Sequence, residues 1–144
     1  MGGVRYRWGD ILAAHHQQFR LLLLPDIGPP PTDMMYDGCS FICPDSFGGI
    51  SMLLPCGIHD WEYRAYREMG LCGTEPDRED ADWRLYHNAL RVGLSARKAR
   101  IILRAVRSGG FPSYQYAPDA APSAAYRVAV SFYWALPVLW RFRL

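Results

Sequence analysis

"LLPCGIHDWEYRAYREMG", residues 53–70, decides how this chain is read. Cys56 is followed by His59 and Asp60 side by side, and Tyr63 comes four residues after the histidine. The stretch reads as a helix from about Ser51 to Met69, with Gly70 as its stop. Residues four apart share a helix face, while adjacent residues point about 100° apart. His59 and Tyr63 therefore face one partner, and Asp60 faces another.

The next helix supplies the first partner. "CGTEPDRED" reads as a turn, with Asp77 expected to cap a helix beginning near Arg78. Ser95 restarts or continues that helix, and Gly109-Gly110 ends it. Asp82, Leu85, Tyr86 and Ala89 form one stripe, so Asp82 sits on a mostly apolar face, where a carboxylate is costly unless paired. An antiparallel helix carrying His59 would pair it. Asp82 would then hold the imidazole in one tautomer and leave its other nitrogen to take a proton from water. Asp60 remains for a second task. With backbone carbonyls from the loop around Asp37, Gly38, Cys39 and Ser40, it would make an all-oxygen site suited to calcium and unsuited to zinc.

Four cysteines, Cys39, Cys43, Cys56 and Cys72, lie within 34 residues. An even set allows three disulfide pairings. Cys39–Cys56 would tie the loop to the helix of His59 and Asp60, leaving Cys43–Cys72 as the second pair. Zinc is the rival, since Cys39 and Cys43 form a C-x3-C near His59, but no second close Cys/His pair follows. Reduced core cysteines are the third alternative.

The remaining sequence frames this centre. A chain of 144 residues, half of them apolar, is long enough for one domain with its own core. The net charge of +2 is too small to argue for nucleic acid. The basic "ARKARIILRAVR" reads as a solvated face with Ile102, Leu103 and Val106 buried. "GDILAAHHQQFRLLLLPD" predicts a helix over 10–24, with Ile11, Leu12, His15, Phe19 and Leu22 on one stripe and His16 outside it. A final helical or amphipathic segment runs from Ser123 to about Ala135. No strand pair is expected. The class is mainly α.

"MGGVRYRWGD" does not read as a signal peptide, because Asp10 and two histidines interrupt it before any apolar run. The apolar stretch from Val128 to Trp140 is 13 residues and contains Pro137, too short to span a membrane. Trp134, Trp140, Phe142, Arg141 and Arg143 in segment 123–144 are residue types that sit at a membrane interface or pack on a partner subunit.

The joint pattern resembles the phospholipase A2 superfamily. "CGIHDWEY" is similar to that family's C-x-x-H-D-x-x-Y helix, with Cys56, His59, Asp60 and Tyr63 in the matching places. "REDADWRL" resembles the short second-helix signature of bacterial, phage and parvovirus-capsid members, in which the alanine-aspartate step supplies the histidine's partner, here Asp82. "YDGCS" occupies the place of the calcium loop. The resemblance covers roughly residues 36–90. It departs from the secreted animal enzymes in having fewer cysteines, Glu62 where a cysteine often precedes the tyrosine, and a loop without their run of glycines.

The resemblance implies a pair of antiparallel helices carrying a His-Asp dyad and hydrolysis of the sn-2 ester of a glycerophospholipid. His59 would act as general base and Asp82 would orient it, with Tyr63 and Tyr86 in support. Calcium would be held by Asp60 and the loop at Gly38, Cys39 and Ser40. The expected partner is a phospholipid interface, with no nucleic acid. The expected setting is a virion, or release from the cytoplasm by lysis or export without a signal peptide. The alternative is a non-catalytic member that uses the same helices, and its C-terminal segment, to dock in a larger assembly.

Overall fold

The computed structural model describes residues 4–39, 45–68 and 73–141. Ser40, Cys43 and Cys72 lie outside them, as do Phe142 and Arg143 and the side chains of Trp140 and Arg141. Among the described residues, six helices carry the fold and two small antiparallel strand pairs accompany them.

Helix α1 (Trp8–Ala14) opens two residues before the expected Asp10, and α2 (His16–Phe19) is a single further turn. The expected helix over 10–24 is therefore broken at His15 and finished by Phe19. The failure to continue to residue 24 has a reason downstream: the side chain of the buried Asn88 accepts from the Leu23 amide at 2.6 Å and donates to the Leu23 carbonyl at 3.0 Å. A backbone bonded in this way is not available to a helix ladder. The apolar stripe survives the break. Ile11, Leu12, Phe19 and Leu22 all pack against a core cluster containing Trp8.

Strand pairs, which the sequence reading did not expect, form where the chain doubles back. Strand β1 (Tyr6–Arg7) pairs with β2 (Met35–Tyr36) in the register Tyr6–Tyr36. Strand β3 (Ser46–Phe47) pairs with β4 (Ile50–Ser51) across Gly48-Gly49, both with positive φ, +59° and +83°. Two central residues with positive φ are what a tight two-residue hairpin turn requires, and glycine supplies them without steric cost.

Helix α3 (Leu53–Glu68) is the central element. Leu54, Ile58, Trp61 and Ala65 form its first face and bury against Trp8, Met34 and Tyr36. Fully burying side chains such as Leu54 and Ile58 contributes about 1.5–3 kcal/mol each. Cys56 belongs to a second cluster with Met52, Leu85, Ala89, Leu94, Ala99 and Ile102. His59 and Tyr63 follow Cys56 along that side.

Helix α4 (Glu75–Arg91) starts at Glu75, not Arg78, and its N-cap is Thr74, not Asp77. Asp77 is instead the third helical residue of a capping box. Its carboxylate accepts from the Thr74 amide at 2.9 Å, while the Thr74 hydroxyl accepts from the Asp77 amide. The reciprocal bonds satisfy two otherwise orphaned donors. Tyr63 meets Asp82 and Arg78, whereas Met52 and Cys56 group with Leu85 and Ala89, so α3 and α4 run antiparallel.

Helix α5 (Ala96–Gly109) is separate from α4, because Gly93 turns the chain at φ +110° and Ser95 caps the new helix through the Lys98 amide. It ends at Gly109, as the glycine pair indicated. Helix α6 (Ala124–Arg141) packs along α5 and continues past Ala135, through Pro137. A proline removes one ladder hydrogen bond, and the remaining bonds carry this helix past it. None of the described helices is long and apolar enough to cross a membrane.

Candidate active site

A cleft of about 190 Å³ opens between α3 and the end of α5. Gly38, Cys39, Cys56, His59, Asp60, Tyr63 and Arg64 line one side; Leu85, Val106, Gly109, Gly110, Ser113 and Gln115 complete it. The helix geometry explains how adjacent residues share this wall. His59 turns toward α4 and Asp60 toward Arg64, one turn further along α3.

His59 Nε2 lies 2.7 Å from Asp82 Oδ1. The Tyr63 hydroxyl donates to the same oxygen at 2.5 Å, and its ring lies 4.2 Å from the imidazole. Asp82 is fully buried. Burial alone pushes a carboxyl pKa up, but the hydrogen bond and charge of His59, the Arg78 guanidinium and the Tyr63 hydroxyl outweigh it and hold Asp82 below its ordinary value. An anionic Asp82 accepts a hydrogen bond from Nε2–H, which fixes the tautomer so that the ring's free lone pair, in the neutral form, is the one on Nδ1.

The other carboxylate oxygen is equally occupied. Arg107 from α5 donates to Asp82 Oδ2 at 3.0 Å and Arg78 donates to it at 3.4 Å. Both arginines also grip Glu75: Arg78 through Nε and Nη2 at 3.0 Å each, and Arg107 through Nη2 at 2.9 Å. Tyr116 donates a hydroxyl hydrogen bond to Glu75, and Arg78 stacks 3.8 Å above the Phe111 ring. Two carboxylates thus meet two guanidinium groups in the interior, a charge balance that makes their burial tolerable. The sequence reading missed this network. Arg78 was legible as the i−4 neighbour of Asp82 on one helix. Arg107, 25 residues away on another helix, had no local signal.

Tyr86 takes no part in it. Its ring packs edge-on against Trp83 and His87 and borders the Met52 cluster, and it is not part of the cleft wall. Glu62 points elsewhere too, receiving a hydrogen bond from Arg84 across the α3–α4 interface. Burial raises its carboxyl to about 7, against the lowering effect of Arg84 and His59.

Cys39 and Cys56 form a disulfide that fastens the loop to α3 beside His59. Zinc ligation by Cys39 is thereby overturned, because neither of these sulfurs is a thiolate and His59 Nε2 is taken by Asp82. Among the described residues no three His, Cys, Asp or Glu side chains come together as a metal cluster, so a cation here would need main-chain oxygens. The donors at hand are of that kind. Asp60, Gly38 and Cys39 line the same cleft, and a carboxylate with main-chain oxygens is a donor set that fits a hard cation. Asp60 Oδ2 also lies 3.4 Å from Arg64 Nε in a partly exposed ion pair. Of the aromatic C-terminal residues, Trp134 is half-buried, edge-on to Trp83 and 6.0 Å from the Arg107 guanidinium.

Compared with known proteins, the chain matches no protein-family model, no curated protein and no solved structure.

Proposed function

We propose that this chain is a calcium-dependent hydrolase of the phospholipase A2 type, acting on the sn-2 ester of glycerophospholipids. One observation carries the reading: His59 is bonded through Nε2 to a buried, anionic Asp82 while standing in the wall of the cleft that Asp60 also lines.

The chemistry follows from the tautomer. Nδ1 accepts a proton from a water as its oxygen attacks the ester carbonyl, and the imidazolium that forms faces a carboxylate that is already ionised. Collapse of the tetrahedral adduct returns that proton to the departing glycerol oxygen. Asp82 orients the ring, and Tyr63 and the two arginines keep the carboxylate from rotating. Asp60 and the loop oxygens at Gly38, Cys39 and Ser40 would hold calcium. When bound, calcium would polarise the ester carbonyl and bind the substrate phosphate. No serine nucleophile is required. Leu85, Val106, Gly109 and Gly110, which line the same cleft as His59, suit an acyl chain.

The test is fatty-acid release from mixed phospholipid vesicles. Release should require calcium, stop with a calcium chelator and ignore a zinc-selective one. Vesicles left intact at saturating calcium would end the enzymatic reading.

A second reading has its own support. Val128 and Phe132, one turn apart on α6, are exposed at 69% and 62%, with Tyr133 beside them at 70%. A non-catalytic docking protein in a virion-like assembly would use such a face, and a lipid-bound enzyme would use it as well. Calcium separates the two, since only the enzyme has a reason to bind it at Asp60.

A further inference from the structure

Asp45 is a half-buried anchor in the loop beside the cleft, and its two carboxylate oxygens have separate duties. Oδ1 accepts the Cys39 amide at 2.8 Å, and Oδ2 accepts the Tyr6 hydroxyl at 2.8 Å. The backbone runs tight against it. A Cβ on Gly38 would come 2.5 Å from Asp45 Oδ1 and 2.9 Å from Tyr6 Cε2, and Gly38 holds φ +78°. Only glycine fits that position.

The Gly38–Cys39 peptide is trans, so the Gly38 carbonyl points opposite to the Cys39 amide hydrogen. With the amide turned to Asp45, the carbonyl is turned away from it, and Gly38 lines the same cleft as Asp60. We infer that Asp45 is a positioning residue for a cation in this cleft: by holding the Cys39 amide, it aims the Gly38 carbonyl at the cation held by Asp60. The inference rests on the calcium site proposed above and adds a residue outside the set of ligands. Asp45 acts through a hydrogen bond, not through its charge.

That distinction makes it testable with calcium alone, without any turnover measurement. In Asp45→Asn, the amide oxygen still accepts from Cys39 and the amide nitrogen donates to the Tyr6 oxygen, so the carbonyl keeps its aim. In Asp45→Ala both bonds are lost. Calorimetric calcium titration of the whole chain should give Asp45→Ala a Kd roughly 10–100-fold weaker than wild type, as for loss of other groups that orient a ligand. Asp45→Asn should stay within about threefold of wild type by the same reasoning. Tyr6→Phe frees one carboxylate oxygen from outside the loop and should weaken binding several-fold; it also serves if Asp45→Ala does not fold.

Equal affinity in wild type, Asp45→Ala and Tyr6→Phe would overturn the inference and leave the calcium site standing. A loss in Asp45→Asn as large as in Asp45→Ala would overturn it as well, because charge rather than aim would then be what matters. A wild type that takes up no calcium would remove the cation site, and this inference with it.

Discussion

Arg107 Nη1 lies 3.0 Å from Asp82 Oδ2, on the carboxylate oxygen that His59 does not use, and both side chains are buried. The acid that orients the histidine is therefore compensated from behind. Removing one member of a buried ion pair leaves an uncompensated charge, which costs about 3–5 kcal/mol. Arg107→Met should fall in that range in urea unfolding, since it strips a partner from both Asp82 and Glu75. A loss below about 1 kcal/mol would mean that Arg78 alone satisfies the carboxylates.

The same network separates two substitutions that look equivalent in sequence. His59→Gln should abolish fatty-acid release while melting near wild type, because glutamine can still donate to Asp82 from a partly solvated position. Asp82→Asn should also abolish release, but it leaves Arg78 and Arg107 facing a neutral amide and should melt well below wild type. Wild-type turnover in His59→Gln would show that the base is another group.

Glu62 sets a pH dependence of the opposite sense to the other buried carboxylates. Its folded pKa is raised from 4.5 to about 7, so the folded state holds the proton more tightly than the unfolded chain. The stability it contributes is complete below its unfolded pKa and is lost as pH rises through about 7. The loss amounts to about 3 kcal/mol at most, from linkage over that interval. Glu75, held low chiefly by Arg78, and Asp82, held low chiefly by His59, contribute stability above their unfolded pKa values and lose it on acidification. Wild type should melt lower at about pH 8 than at about pH 5, and Glu62→Gln should flatten that slope. An unchanged slope in the variant would assign it to another group.

Reduction should tell on the loop. The Cys39–Cys56 bridge closes a sequence separation of 17, for which the chain-entropy model gives about 3 kcal/mol. Melting with and without a thiol reductant should differ accordingly, and the paired variant Cys39→Ser with Cys56→Ser should be insensitive to the reductant in that respect. Peptide mapping that finds Cys56 as a free thiol in the oxidised protein would contradict the pairing.

What the sequence determined by itself is whatever one helix or one turn can encode. Spacing alone put His59 and Tyr63 on one side of α3, with Asp60 beside them, and put Asp82 on the apolar stripe of α4. The mainly helical class and the glycine stop of α5 were equally local. The Gly48-Gly49 hairpin was also local but went unread, since two-residue strands carry too little alternation to register. Tertiary structure decided the rest. Asn88 ended the N-terminal helix from 65 residues away. Arg107 reached Asp82 from another helix, and Arg84 claimed Glu62. Asp45 took the Tyr6 hydroxyl from 39 residues away. Each of these is a hydrogen bond or ion pair between segments distant in sequence, whose strength depends on burial and aim. Helical and turn periodicity bring together only residues a few positions apart, so such long-range pairs leave no trace in either.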